Sequence, residues 1–322
     1  MNYIVFDLEW NQSSCGLENE NPLLPFEIIE IGAVKLDESF NITDSYSSIV
    51  RPRVYKKLQT HIKSILNFTE KELRKGRPFD MVCREFLKWC GDDFVFCSWG
   101  AMDLNCLQSN MDFYYMKQLD TPLKFYNIQQ IYADTTDINN SIVKLEKAVD
   151  FLNIEYEEDK PYHSAVNDAY YTAKVLSIIH PKDLADRYSI DIYNNPKDKD
   201  SEIISYHKDF MEHITMPYED KKQALIDKDV TKMVCYKCKK KTSKKIRWFA
   251  NSQNSYVSVG KCWYHGLVAG KIRFKQTRDG RVFVIRTFNP IDKKELENIK
   301  ERQDELRLKR QVKRHEKNQN KQ

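Results

Sequence analysis

Tyr3-Ile4-Val5-Phe6-Asp7-Leu8-Glu9-Trp10 is the stretch on which the reading of this chain turns. Its aromatic and β-branched residues predict a strand. The period of two along a strand puts Asp7 and Glu9 on one face and Phe6, Leu8 and Trp10 on the other. Two carboxylates side by side on an otherwise apolar strand repel each other and lose hydration. A hard divalent cation held by oxygen ligands removes both costs. Taken alone, an Asp-x-Glu pair describes more simply an edge strand with one solvated face.

Outward from this strand, the chain alternates strand-like and helix-like patterns up to about residue 190. Glu27–Leu36 reads as a second strand, and Phe40 to Val50, ended by Pro52, as a third. Phe79, Val82, Cys83, Phe86, Leu87 and Cys90 recur at spacings of three and four, a helix over Phe79–Gly91. Phe94–Cys97 is a short apolar run suited to a central strand. Helices are expected at Asp103–Asn110, Asn127–Ala133, Ser141–Leu152 and Ala165–Ile179. Strands first, then helices alternating with strands, predict an α/β layer fold with a mixed sheet.

Two further carboxylates stand out. Asp103 follows the Phe94–Cys97 run through Ser98-Trp99-Gly100-Ala101-Met102, where by itself it reads as a helix N-cap. Asp168 shares the apolar stripe of its helix with Ala165, Ala169, Thr172, Ala173, Leu176 and Ile179, so it faces the core and needs a partner. His163 precedes that helix, just after Pro161, in a position that alone suits a surface histidine.

Together, Phe6-Asp7-Leu8-Glu9, Asp103 after the Ser-Trp-Gly turn and His163-x4-Asp168 resemble the DEDDh family of 3′–5′ exonucleases. Ile28–Leu36 is similar to that family's second strand. The detail is nearest the branch of RNAi-type, histone-mRNA-trimming and bacterial sporulation-inhibitor-type enzymes, and the resemblance spans about residues 1–185. It implies an RNase H-like fold, a mixed five-stranded sheet flanked by helices. It also implies that Asp7, Glu9, Asp103 and Asp168 hold two Mg²⁺ or Mn²⁺ ions, with His163 as general base. The chemistry agrees: phosphodiester hydrolysis needs a deprotonated water and a stabilised leaving oxygen, tasks that two cations about 4 Å apart and an imidazole can share. The resemblance makes Leu8, Trp10, Leu66 and Phe68 candidates for substrate contacts. Leu66 and Phe68 fit an ordinary core equally well, and Trp10 departs from the small hydroxyl residue often found there.

The remainder of the chain has another character. Residues 228–322 contain 27 Lys and Arg against 9 Asp and Glu, while residues 1–227 contain 25 against 38. An acidic body with a basic appendage suggests a polyanionic partner for the appendage. Residues 191–227, with Asn194–Asp200, read as a linker carrying a helical piece around Ile203–Ile214. Cys235-x2-Cys238 and Cys262-x2-His265 have the spacing of a Cys₃His structural zinc site in a zinc-ribbon-like basic domain over 228–290. Lys271–Lys275 and Arg281–Arg286 alternate around Asp279-Gly280, predicting a hairpin with a two-residue turn. Residues 291–322 read as a charged tail, helical or disordered.

Lysines and arginines interleaved with Trp248, Phe249, Tyr256, Trp263 and Phe274 suit single-stranded nucleic acid, although the rings could equally form the domain's core. The other five cysteines, Cys15, Cys83, Cys90, Cys97 and Cys106, read as buried thiols of a reducing compartment. With 41% hydrophobic residues, no apolar run of about 18 residues and no leader-like N-terminus, the expectation is a cytoplasmic protein without membrane spans. Three functions fit: a metal-dependent exonuclease on single-stranded RNA or DNA, with RNA favoured by the resemblance; a nucleic-acid-binding regulator with a vestigial site; and a proofreading exonuclease partnered by a polymerase. A ribonucleoprotein partner is also open.

Overall fold

The apolar runs of the first 190 residues fold as the alternation predicts, into a sheet covered on both faces. The structure is a computed structural model that describes residues 1–66, 68–136 and 143–319. The chain divides into two units, Met1–Tyr193 and Asn194–Gln322.

In the first unit, strands β1 (Asn2–Asn11), β2 (Glu27–Leu36) and β3 (Ile42–Ile49) form an antiparallel meander. Helices α1 (Thr60–Ile65), α2 (Glu70–Lys75) and α3 (Phe79–Cys90) follow. Strand β4 (Phe94–Ser98) then pairs parallel with β1, and β5 (Lys124–Asn127) parallel with β4, separated by helix α4 (Met102–Phe113). Helices α5 (Ile128–Thr135), α6 (Leu145–Phe151) and α7 (Ala165–Ile179) complete the layer. The order is β3-β2-β1-β4-β5-β6, where β6 (Ser189–Ile190) is a two-residue strand antiparallel to β5. The sheet therefore has six strands rather than five; a pair of residues carries no periodic signal that could announce a strand. The mixed RNase H-like arrangement is otherwise as expected. The helix expected over Ser141–Leu152 begins at Leu145; Ser141 and Ile142 lie outside the described residues.

Alternation along β1 decides what each face buries. Ile4, Phe6 and Leu8 pack with Phe79, Val82 and Phe86 of α3 and Leu104 and Leu107 of α4. Val5 points to the opposite layer, with Tyr132 of α5, Val149 of α6 and Leu176 of α7. Asp7 and Glu9 share the parity of Val5, so both carboxylates face the α7 side. A bulge between Glu9 and Trp10 interrupts the β1–β2 register there, a common device beside functional sites. Four of the five isolated cysteines are buried as expected, whereas Cys15 is exposed.

The second unit corrects the sequence reading. Residues 203–214 are not helical: β7 (Ile203–Tyr206) and β8 (Met211–Ile214) form a hairpin, and β8 pairs with β12 (Val282–Pro290). The segment read as a linker is thus part of a six-stranded antiparallel sheet of order β7-β8-β12-β11-β10-β9, completed by β9 (Ser243–Ser252), β10 (Ser255–Cys262) and β11 (Gly266–Gln276). The strand alternation was hidden because Ser205 and His213 point inward while Ile204 and Tyr206 face solvent. Two short helices, α8 (Lys221–Ile226) and α9 (Lys228–Thr231), bring Ala224 and Val230 against Ile272 and Val284.

The β11–β12 hairpin forms, but its connection is Thr277–Arg281. Gly280 takes the left-handed φ of +87° that a non-glycine residue resists, and Thr277 N–H bonds Arg281 O at 2.9 Å. The tail is helix α10 (Lys293–Gln319). Leu296, Ile299 and Leu306 pack it on Ile246, Phe249 and Val259.

A carboxylate cluster and a Cys₃His cluster

Ligand-capable oxygens of Asp7, Glu9 and Asp168 all lie within 4.8 Å of one another. Two come from β1 and one from the first turn of α7, so the site exists only because that helix end comes down on the sheet. Gly32 makes the approach possible. It stands opposite Asp7 in the β1–β2 register, and a Cβ there would lie 1.9 Å from Val166 N and 2.1 Å from Ala165 C. No side chain fits that space.

Glu30, buried and opposite Glu9 in the register, fastens the contact. Its carboxylate accepts from the Ala165 N–H at 3.1 Å and from Ser164 Oγ at 3.3 Å. Ser164 is the N-cap residue of α7, yet its hydroxyl makes no cap bond. The strand carboxylate satisfies the helix end instead.

Asp103 does not cap α4; the N-cap residue is Ala101, and Asp103 lies in the first turn. Its Oδ1 accepts from Leu8 N–H at 3.3 Å, which ties it to the strand between the two β1 carboxylates. His163 is exposed on the turn before α7, with φ of +65°, and its N–H donates to Asp168 Oδ2 at 3.3 Å. The sequence therefore named the carboxylates that converge, and missed Gly32 and Glu30. The signal for both was the Glu30-Ile31-Gly32 run inside an otherwise apolar strand.

The expected substrate contacts are placed differently. The Leu8 side chain is buried in the core on the side away from the carboxylates. Trp10 is half-buried, its ring 5.7 Å from that of Phe26. Leu66 and Phe68 are half-buried over Ile29, Leu58, Ile62 and Leu73, as the core reading had it.

The cluster is electrostatically loaded. Burial, then repulsion from Asp103, Asp168 and Glu9, holds the Asp7 carboxyl well above the carboxylate range. Burial with repulsion from Asp168, Glu30 and Asp103 pushes Glu9 to about 8. Burial raises Asp103 to about 7 against the Leu8 hydrogen bond, and raises Asp168 to about 7 against that of His163. Asp168 Oδ1 is buried without a hydrogen-bond partner. Converging oxygens, depressed acidity and an orphaned carboxylate atom fit a divalent cation, which supplies the missing positive charge.

In the second unit, Cys235, Cys238, Cys262 and His265 bring their ligand atoms within 4.8 Å of one another. Cys238 Sγ and Cys262 Sγ are 3.6 Å apart, too far for a disulfide. His265 Nδ1 is 3.5 Å from Cys235 Sγ and 3.6 Å from Cys262 Sγ. A tetrahedron built on metal–sulfur bonds of about 2.3 Å and metal–nitrogen bonds of about 2.0 Å has edges of about 3.5–3.8 Å. The donor set and its spacing fit one zinc ion. Burial raises the Cys262 thiol, but the N–H groups of His265 and Tyr264 and the His265 and Cys238 side chains outweigh it and bring it down to about 6.

Comparison with known proteins agrees with the first unit's geometry. The exonuclease family model (RNase T type) matches residues 4–176. The chain belongs to this exonuclease family, which agrees with the 3′–5′ exonuclease reading of the sequence. Among similar proteins, KapD of Bacillus subtilis (strain 168), described as a probable 3′–5′ exonuclease, is 28% identical over 186 residues, 55% of this chain and 83% of that protein. The PolC-type DNA polymerase III of Thermotoga petrophila is 25% identical over 179 residues, 54% of this chain but 11% of the polymerase. Of solved structures, the nuclease domain of 3′hExo, a DEDDh family member bound to rAMP, superposes with a TM-score of 0.49 at 20% identity, over 59% of this chain and 96% of that one. Among the described residues, no helix is long and apolar enough to cross a membrane.

Proposed function

We propose that the chain hydrolyses phosphodiester bonds from the 3′ end of single-stranded RNA or DNA, RNA being favoured, and releases nucleoside 5′-monophosphates. The convergence of Asp7, Glu9 and Asp168 where α7 meets β1 carries the reading. Asp7, Glu9, Asp103 and Asp168 would hold two Mg²⁺ or Mn²⁺ ions, which supply charge to activate the attacking water and stabilise the leaving oxygen. The protein's own part is to fix these oxygens on a rigid strand and helix end, and to move a proton. His163, exposed and tied through its N–H to Asp168, takes the proton of the water as the new oxygen–phosphorus bond forms. The bond to the 3′ oxygen breaks, and that oxygen leaves as a hydroxyl after gaining a proton.

Incubation of purified protein with Mg²⁺ or Mn²⁺ and 5′-labelled single-stranded RNA and DNA should give a ladder shortening from the 3′ end, absent in the Asp168→Asn variant. Tight binding with no shortening of either strand would favour the regulator with a vestigial site. His163→Ala should lower turnover by about 10²–10⁴-fold with little change in metal affinity. Its pH–rate profile should lose the acidic limb; a profile that keeps that limb assigns the base elsewhere.

Similarity to a PolC-type polymerase supports a second reading, proofreading beside a polymerase. Preferential removal of a mispaired primer terminus, together with coprecipitation of a polymerase, would select it.

The Cys₃His cluster would bind one structural zinc in a module that holds the nucleic acid. Atomic absorption should find one zinc per chain, and Cys262→Ser should abolish it. Loss of the ion should expose the Cys235–Lys241 turn to proteolysis, because the buried core around Met233, Val234 and Phe288 is small. A zinc-free protein resistant at that turn would remove the assignment.

A further inference from the structure

The aromatic residues of the second unit divide into two groups. Phe249 and Phe274 are buried, and Trp248 and Tyr256 are half-buried, all within the cores of the sheet. The turn joining β10 to β11 does the reverse, with Trp263 91% exposed and Tyr264 70% exposed. Among the described residues these two rings belong to none of the hydrophobic core clusters, so little of their apolar surface is buried by folding. They are nonetheless held in place, between Cys262 and His265 of the Cys₃His cluster.

Cations surround this turn. Lys261 immediately precedes it, and Lys244 lies across from Gly260 on β9. The facing Cys235–Cys238 knuckle brings Lys239 and Lys240, with Lys240 Nζ 5.1 Å from the centre of the Tyr264 ring. All four lysines are exposed, and among the described residues none is paired with a carboxylate. Two flat, solvent-facing rings amid lysines that no carboxylate neutralises, with Lys239 Nζ 3.7 Å from the centre of the Tyr206 ring, match the two repeating features of a single-stranded nucleic acid, base faces and phosphates. A neutral or basic protein surface would leave the lysines unmatched.

We propose that Trp263 and Tyr264 are the stacking platform on which this module holds unpaired bases, with Lys239, Lys240 and Lys261 on the adjoining phosphates. The assignment rests on the reading of the module as nucleic-acid-binding. It differs from simple charge attraction in needing bases: an abasic strand offers the same phosphates and nothing to stack.

The test uses the full chain carrying Asp168→Asn, so that binding is read without hydrolysis, and a fluorescent single-stranded oligonucleotide in its ordinary and abasic forms. Trp263→Ala should weaken binding of the ordinary strand by about tenfold and leave the abasic strand unaffected, with the slope of affinity against salt unchanged. Trp263→Phe, which keeps a ring, should restore affinity, and this rescue excludes a merely misfolded turn. Lys239→Ala with Lys240→Ala should flatten the salt slope.

Unchanged binding in Trp263→Ala, failure of the phenylalanine to rescue, or equal loss on the abasic strand would overturn the stacking platform. If the lysine variant weakens binding while Trp263→Ala does not, the module still binds nucleic acid by charge alone. If neither changes binding, the nucleic-acid reading of the module falls as well.

Discussion

Asp168→Asn is expected to lower exonuclease turnover by about a thousandfold or more, while the metal-free variant melts at a higher temperature than the parent at pH 8. The two effects share one cause. In the metal-free protein Asp168 is a buried group raised to about 7, its Oδ1 without a partner, beside carboxylates from β1 and Asp103.

A carboxyl whose folded-state value lies above its unfolded value of 3.8 costs nothing below that value, where both states are protonated. Stability then falls as pH rises from about 4 through about 7, because the folded state must give up a proton it holds more tightly. Asparagine has no proton to lose, so the difference between variant and parent should be small at pH 4 and largest at pH 8. Mn²⁺ should raise the parent's melting temperature at pH 8 by about 5–10 °C at a hundredfold excess over its dissociation constant, and the variant's far less. Melts at the two pH values with and without Mn²⁺ measure this. A variant that still trims oligonucleotides at the parent's rate would remove Asp168 from the site.

Gly32→Ala is expected to be nearly as damaging, although the residue has no chemistry. The added methyl would sit within 1.9–2.1 Å of backbone atoms of Val166 and Ala165, which cannot rotate away as a side chain would. Helix α7 must lift from β2, stretching the Glu30 bonds to Ala165 and Ser164 and carrying Asp168 away from Asp7. Overpacking of this kind costs about 1–3 kcal/mol, and a displacement near 1 Å in a reacting constellation costs about a hundredfold in rate. A thermal melt and single-turnover hydrolysis should both register the change. Wild-type turnover in Gly32→Ala would mean that the α7–β2 approach does not set the site.

What the sequence disclosed follows from the kind of signal each element gives. Helix α7 was legible to its end residues because its stripe, Ala165 to Ile179, is apolar and long, and Asp168 stood out against it. The β1 carboxylates were legible for the same reason. Glu30 and Gly32 break the apolar run of their strand, but their partner is a helix end that for Glu30 lies 134–135 residues further on, so the local pattern marks them without saying what they meet. The β7–β8 hairpin escaped because its inward positions hold Ser205 and His213, inverting the usual alternation. The aromatics of the basic region could be named but not sorted, since a ring for the core and a ring for a ligand look alike in sequence; exposure separates Trp263 and Tyr264 from Phe249 and Phe274.

The place of β12 in the second sheet bears on synthesis as well as on shape. It follows the other five strands of its sheet in the chain and yet sits between β8 and β11, joining the β7–β8 hairpin to the β9–β10–β11 meander. The first sheet is closed once Ile190 has been translated. A ribosome therefore completes the nuclease about a hundred residues before the basic module has its central strand, and domains fold as units in that order. A chain stopped between Ile190 and Val282 would keep the first sheet whole and leave the β7–β8 hairpin unjoined to the strands β9, β10 and β11, so a nonsense mutation in that interval would separate catalysis from the basic module in one step.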